Sequence, residues 1–398
     1  MEMTMTKKKV LLLNAGHTEI PIIERLKARD LYVITSGNRE DMPGHKLADK
    51  YIKADYSDKE AILKIAEEEK IDGIISCAYD SAYTTTAYVA EKLGLGGHDS
   101  YEKACLLHQK DNFKSLCIKL NIPNPISIPF FEKEKALEYI KEADYPIMVK
   151  PVDQASGIGI MRADNNDEGI IAVENAFEKS KEKRIVIEPY IEGAQESFVA
   201  FVIDGKVEAC TACDCYSPIN PFLIQTETMP SKNFSILKEQ LIGITEKLFS
   251  ELDLVDGIIT LQYIVKDGIP YVIEMMRRCL GNRFLYPVSY VTGLDWYDAL
   301  VCSELAEDCH NMKIDEPIAK YAGHHAIMST HNGIFEGIEI PDEIMEHVIE
   351  FDELFKSGDI INDYMKERMG YIYYKYEDMK EIEVAAKSFN ERIKLKVK

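Results

Sequence analysis

The sequence predicts a multidomain chain that opens as α/β and continues as α+β, and three observations predict it. Residues 9–110 alternate continuous apolar strands with helical patterns. Three prolines crowd the stretch "NIPNPISIP" at 121–129. Two long hairpin patterns follow, one turning at Asp204-Gly205 and one around "KDG" at 266–268. Unbroken apolar strands between helices mean a parallel sheet buried on both faces. Proline removes a backbone donor and fixes the chain, so the cluster marks a boundary. At 398 residues the chain is long enough for roughly two to four structural units.

Taken in order, "KVLLLNAG" is a strand ending in a glycine turn, and "EIPIIERLKARD" has helical spacing. "LYVITSG" and "YIKADY" are strands, "DKEAILKIAEEEK" is a helix opened by Asp58, and "IDGIISCAYD" is a buried strand. "TTTAYVAEKLG" is a helix stopped by glycine. Past the prolines come helix "EKEKALEYIKEA", strand "PIMVK", a glycine loop, strand "GIMRA", helix "EGIIAVENAFEKS" and strand "RIVIEPY". "EQLIGITEKLFSEL" is amphipathic between the two hairpins. The last 70 or so residues mix strands with a helix expected over "DEIMEHVIEFDEL", 342–354. No internal repeat or low-complexity segment occurs.

Composition narrows the function. Hydrophobic residues make up 46% and charged residues 29%, ordinary for a soluble globular protein. The formal net charge of −21 argues against nucleic acid as the main partner, and means that any anionic ligand needs a local cluster of cations. Only Val10–Leu13 follow the lysines at 7–9, too short for a secretory signal, and no apolar run is long enough to span a membrane. Nine scattered cysteines, an odd number, fit reduced thiols in the cytoplasm. "CTACDC" (Cys210, Cys213, Cys215) lacks the second paired set that a structural zinc site uses, so buried thiols are the expectation there.

One stretch raises a chemical question. In "YPIMVKPVDQASGIGIMRA" an apolar strand ends in Lys150 just before a loop with Gly157 and Gly159. A solvated strand end and an ordinary turn would look like this. So would an anion site, where glycines let backbone N–H groups approach phosphate oxygens beside a lysine. There is no G-x-x-x-x-G-K-[ST] run, and Arg162 occupies the third glycine position of G-x-G-x-x-G. A nucleotide here would be held by another device.

Ligands of open parallel sheets sit beyond the strand C-terminal ends. That edge carries Gly16, His17 and Glu19 after the first strand, and Tyr79 and Asp80 after "IISCA". Further along, the second hairpin ends in Glu274 and runs into "MMRRCLGNR", with Arg277, Arg278 and Arg283. A carboxylate suits Mg²⁺ and arginine forks suit phosphate or carboxylate, while a surface salt-bridge network is the plainer reading.

The order of Lys110, Lys150 with its glycine loop, Glu188 with Glu196, and Glu274 with its arginines resembles the ATP-grasp superfamily over most of the chain. "QKDNFKSLCIKLNIPNP" is similar to the segment carrying that family's other nucleotide lysine, Lys110. "VIEPYIEGAQES" resembles the adenine-reading linker, and "LQYIVKDGIPYVIEMMRR" the metal-binding hairpin. "YAGHHAIMS" resembles the C-terminal domain of the biotin carboxylase-like branch, which includes carbamoyl-phosphate synthase-like ligases.

The resemblance implies an ATP-grasp fold in four parts: a substrate-binding parallel-sheet domain at 1–109, a mobile lid subdomain at 110–187, a core with the metal hairpin at 188–318, and a C-terminal domain at 319–398. It implies ATP held by Lys110, Lys150, Ser156, Gly157, Gly159, Glu188, Tyr190, Ile191 and Glu196, the last on the ribose. Mg²⁺ would be held by Glu274, Gln262 and Asn282. Substrate would be bound by His17, Glu19 and Asp80, with Arg277, Arg278 and Arg283 catalytic. Two departures stand out: the family usually has a carboxylate at Gln262 and often asparagine at Met276. Gln262 faces Glu274 across a three-residue loop centred on Gly268, whereas a two-residue Asp-Gly loop shifts the pairing by one.

The activity this implies is ATP-dependent ligation of a small-molecule carboxylate to an amine through an acyl phosphate, without nucleic-acid or membrane partners and with a homodimer as the family's frequent state. A bicarbonate-using carboxylase, a purine-pathway ligase and a catalytically weakened nucleotide-binding protein are the alternatives. A dinucleotide oxidoreductase is disfavoured by the missing glycine fingerprint.

Overall fold

The structure, a computed structural model, describes residues 7–154 and 157–398. Its first unit is a parallel sheet of β1 (Lys9–Leu13), β2 (Tyr32–Gly37), β3 (Lys50–Lys53) and β4 (Gly73–Ile75), in the order β3-β2-β1-β4. Val10 to Leu13 are all buried, the consequence of helices on both faces of the sheet. Those helices are α1 (Ile20–Ala28), α2 (Lys59–Glu69) and α3 (Asp80–Leu93), followed by α4 (Tyr101–His108). Asp58 caps α2 by accepting from the Ala61 amide, and Gly94 ends α3 in the left-handed conformation, φ +67°.

Helix α5 (Lys110–Lys119) starts the second unit in sequence but belongs elsewhere in space. Its Phe113, Leu116 and Cys117 pack with Phe198 and Leu241 beneath the large sheet described below. The lid proper is a four-stranded sheet of β5 (Ile128–Phe130), β6 (Ile147–Pro151), β7 (Met161–Ala163) and β8 (Ile185–Pro189), ordered β5-β8-β6-β7. It is backed by α6 (Lys133–Tyr139) and α7 (Asn166–Lys179).

The large sheet has eight strands. Hairpin β9 (Ala194–Ile203) with β10 (Lys206–Tyr216), then β11 (Thr226–Met229), and hairpin β12 (Gly257–Lys266) with β13 (Ile269–Met276) supply five of them. Helices α8 (Phe234–Leu252), α9 (Leu285–Thr292) and α10 (Trp296–Glu304) pack against this part. The sheet continues past residue 319 through β14 (Tyr321–Ile327), giving the order β13-β12-β9-β10-β11-β14-β18-β16. The expected boundary at 318/319 therefore falls inside one hydrogen-bonded sheet. The remaining strands are β15 (Gly333–Glu339), β16 (Val348–Glu353), β17 (Ile360–Ile361), β18 (Gly370–Tyr376) and β19 (Lys394–Val397). Helix α12 (Met379–Arg392) buries Ile382 and Phe389 against Tyr374 and Ile372.

The helix expected over 342–354 is a correction. Only α11 (Asp342–Met345) is helical there, and Val348–Glu353 is strand β16, paired antiparallel with β18. Ile344, Val348 and Phe351 have helical spacing, but alternation wins because Glu350 and Asp352, on one face, are both engaged by Arg283.

Candidate functional site

The lid sheet and the large sheet enclose a cavity of about 560 Å³, closed at one end by the edge of the parallel sheet. On the lid side, alternation along β6 decides what faces it. Ile147 and Val149 are buried in the lid core, so Met148 and Lys150 point into the cavity. Lys150 Nζ donates to Glu188 Oε2 at 2.6 Å, from the neighbouring strand β8. Lys110, at the start of α5, lies on the opposite wall and donates to Glu274 Oε1 at 2.9 Å and to the Gln154 carbonyl at 2.8 Å. Burial pulls the Lys110 ammonium down, but the carboxylates of Glu274 and Asp80 outweigh it and hold its pKa above the ordinary value.

A third lysine, Lys114, was not singled out in the sequence, although it lies one helical turn after Lys110. It is 1% exposed, donates to the Val272 carbonyl at 2.9 Å and sits 3.7 Å from Glu188 Oε1. Burial lowers its pKa to about 8, against the pull of Glu188. Glu188 answers in kind: burial would raise its carboxyl, yet Lys114 and Lys150 hold it below the usual range. Two lysines and one carboxylate thus share a buried triad at the base of the lid.

The hairpin follows neither expected register alone. Its loop is the two-residue Asp267-Gly268 turn, with both residues at positive φ and Lys266 opposite Ile269. A bulge then shifts the ladder between Gln262 and Tyr263, with Ile273 as the extra residue, and returns Gln262 to face Glu274. Gln262, Glu274 and Met276 all line the cavity as a result.

Glu196 is a correction. It is fully buried and accepts from Ser231 Oγ, Asn233 Nδ2 and Tyr263 Oη on the other face of β9. Its neighbours Gln195 and Ser197 line the cavity instead, as strand alternation requires. Tyr190 and Ile191 also line it, and the Arg162 guanidinium lies 4.2 Å over the Tyr190 ring. Gly157 lines the cavity at φ +73°, where a Cβ would come within 2.5 Å of Phe222. Gly159 turns away, against Pro151 and Lys179. Ser156 lies outside the described residues.

The three arginines part company. Arg278 lines the cavity and donates to Asp80 Oδ1 at 2.6 Å, with His108 Nδ1 3.4 Å from the same oxygen. Burial would raise the Asp80 carboxyl, and Arg278 with His108 holds it well below the carboxylate range. Arg277, one residue earlier, points to the other face. It is buried on Asp99 at 2.9 Å and on the Val255 carbonyl at 2.6 Å, bracing the parallel-sheet unit against the large sheet. Arg283 pairs with Asp352 at 2.8 Å and Glu350 at 3.0 Å. Neither reaches the cavity wall, which corrects two of the three catalytic assignments.

The same holds for two substrate candidates. Glu19 is 1% exposed and accepts from the Gly16 and Ala78 amides, tying together the loops after β1 and β4. His17 bonds Asp352 Oδ2 at 2.9 Å and stacks on Tyr371. Only Asp80 of the three lines the cavity. Asn282 lines it too, with its side-chain oxygen accepting from Tyr371 Oη at 2.9 Å. Arg368, from the loop before β18, reaches the same end of the cavity with no motif to announce it.

Known proteins resemble this arrangement. The profile of the phosphoribosylglycinamide synthetase ATP-grasp (A) domain matches residues 108–220. The C-terminal section of the carbamoyl phosphate synthase large chain from Methanocaldococcus jannaschii is 30% identical over 247 residues, covering 59% of this chain and 39% of that protein. The carbamoyl phosphate synthase large chain of Clostridium perfringens is 25% identical over 60% of this chain and 22% of its own length. The chain thus spans well under half the length of these curated relatives.

Among solved structures, the L-amino acid ligase from Bacillus licheniformis is 21% identical with a TM-score of 0.80, covering 99% of this chain and 100% of that one. Phosphoribosylglycinamide synthetase from Anaerococcus prevotii is 19% identical with a TM-score of 0.76, covering 99% and 100%. The biotin carboxylase domain dimer of the Hydrogenobacter thermophilus 2-oxoglutarate carboxylase, holding MgADP and bicarbonate, is 20% identical with a TM-score of 0.79, covering 99% and 92%. Among the described residues, no helix is long and apolar enough to cross a membrane. The sequence matches run through the lid, and the structural ones run end to end: residues 108–220 are similar to an ATP-grasp (A) domain, and the whole chain shares the fold of these solved structures.

Proposed function

We propose that this protein is an ATP-dependent ligase that activates a carboxylate as an acyl phosphate and joins it to an amine, with release of ADP and phosphate. The observation that carries the reading is the convergence of Lys110, Lys150, Glu188, Glu274 and Arg278 on one cavity between lid and sheet. Lys110 and Lys150 would hold the nucleotide phosphates, where a partly closed, low-dielectric site strengthens each ion contact. The backbone from Glu188 to Ile191 would read the adenine, and Gln195, which lines the cavity where Glu196 does not, would take the ribose hydroxyls. Arg278, held in orientation by Asp80, would bind the substrate carboxylate and stabilise the charge that develops during transfer.

The donor set fits Mg²⁺ modestly. Glu274 and Gln262 face each other at the cavity wall, one carboxylate and one amide, and a thioether at Met276 adds nothing for a hard cation. Such a pair would hold an ion that takes its remaining ligands from phosphate and water. Bound there, Mg²⁺ would draw charge from the phosphate oxygens. A cytoplasmic setting and a homodimer belong to the same reading. All nine cysteines are free thiols, and the Hydrogenobacter domain of like fold forms a dimer.

The test is ADP release from a panel of carboxylates and amines, with the amide product identified by mass spectrometry. ADP formation that needs both substrates, and that fails in Lys150→Ala, is the expected result. ADP release stimulated by bicarbonate alone would replace the reading with a carboxylase. No stimulation by any pair, with tight ATP binding, would favour a nucleotide-binding protein, to which Gln195, Gln262 and Met276 already lean.

A further inference from the structure

The "CTACDC" run looked in sequence like buried thiols without a second set of ligands. The fold supplies that set from other strands. Cys213 and Cys215 alternate onto the same face of β10, while Cys210 turns to the opposite face and packs near Leu237 and Leu241. Across the ladder, β11 brings Glu227 over the two thiols. Cys213 Sγ lies 3.2 Å and Cys215 Sγ 3.6 Å from Glu227 Oε1, and the two sulfurs are 3.9 Å apart.

These distances are close to those of a tetrahedral zinc centre. Zn–S bonds of about 2.3 Å and Zn–O bonds of about 2.0 Å set edges of about 3.8 Å between sulfurs and about 3.5 Å from sulfur to oxygen. A second observation points the same way. His324 on β14, directly opposite Glu227 in the sheet, is fully buried, and its Nδ1 has no hydrogen-bond partner among the described residues. That nitrogen is 3.5 Å from the other carboxylate oxygen, Glu227 Oε2. A histidine beside a ligating carboxylate is the kind of outer contact that orients metal ligands. Glu227 and Ser197 also line the large cavity, so an ion would have a path in and an open fourth position.

We propose that Cys213, Cys215 and Glu227 form a binding site for a borderline-soft divalent cation of the zinc class, with His324 orienting the carboxylate. Thiolate donors select such a cation over the Mg²⁺ that suits Glu274, and binding releases the thiol protons to solvent. The site is independent of the ligase reading, because its ligands do not include the lysines or Arg278.

The experiment uses the full chain, reduced and freed of metal with a chelator, titrated with Co²⁺ and then with Zn²⁺. A near-ultraviolet thiolate-to-cobalt charge-transfer band that saturates at one equivalent and is bleached by Zn²⁺ is expected. Cys213→Ser and Cys215→Ser should each weaken Co²⁺ binding at least about tenfold, and His324→Gln by about tenfold. Cys210→Ser should bind as the parent does. Because a cysteine variant can misfold, alkylation of the unmodified protein gives a second readout: Zn²⁺ should protect Cys215 and leave Cys210 equally reactive. Absence of the band from the reduced parent, or equal protection of Cys210, overturns the site.

Discussion

The two walls of the cleft use cations in opposite ways. On the lid and hairpin wall, Lys110 and Lys150 are paired with Glu274 and Glu188, acids that line the same cavity. On the wall that meets the parallel sheet, Arg277 and Arg283 are spent on Asp99, Glu350 and Asp352, none of which lines it. Only Arg278 crosses over, and it does so because alternation along the chain turns it away from Arg277. The first arrangement keeps charge available at the cavity surface. The second uses charge as mortar between units. A cluster of arginines in sequence therefore says little about chemistry until their partners are known.

The sharpest way to break this contrast is Arg277→Ala. Removing one partner of a buried pair leaves Asp99 uncompensated, so unfolding free energy should fall by about 3–5 kcal/mol. The per-molecule turnover of the folded fraction should stay near that of the parent; a selective loss of turnover with unchanged stability would put Arg277 in the chemistry. On the other wall the pattern should invert. Lys150→Ala should lower the thermal midpoint less than Arg277→Ala does, because Lys114 still compensates Glu188, while turnover falls on the order of a hundredfold to a thousandfold. Calorimetry should show ATP binding weakened by at least about tenfold. Intact ATP affinity in that variant contradicts the lysine wall.

A third probe concerns the mortar. Glu304 is buried, accepts from the Ser76 amide and hydroxyl, and has its carboxyl pushed up to about 7 by burial. The folded chain then holds a proton that the unfolded chain releases above its ordinary pKa of 4.5. The Glu304 contribution is fully present below that value and is lost as pH rises through about 7, roughly 3 kcal/mol in all. Glu304→Gln should flatten the stability profile between those values, as read by urea titration at several pH values. The smallest effect is reserved for Gln262→Glu. A second carboxylate opposite Glu274 should lower the Mg²⁺ concentration for half-maximal activity, by less than about tenfold. Identical metal dependence would mean that this side chain does not share the ion.

Much of the fold was legible because its strands obey period two and its caps carry the expected residues, as with Asp58 before α2. The β16 segment was not, since its inward carboxylates look exposed until Arg283 arrives from 67 and 69 residues away. The site was half legible. Lys110, Lys150 and Glu274 stood out by motif, and helical spacing from Lys110 could have flagged Lys114. Glu196 misled because a residue that looks one position away from Gln195 in a motif lies on the other face of a strand. Glu227 and His324 carry no local signal at all: their proximity to Cys213 exists only through the pairing of β10, β11 and β14.

The extra residue at Ile273 bears on how this sequence can drift. Kept in the strand without the bulge, it would move every residue beyond it by one place on the ladder. Gln262 would then face Ile273, and Glu274 would trade sides with Met275 and come opposite Leu261 on the buried face. Losing Ile273 outright would instead leave a regular two-residue hairpin that still sets Glu274 opposite Gln262. Lineages of this chain should accordingly tolerate a gap at Ile273, where Glu274 keeps its place, better than at any other position between the turn and Glu274.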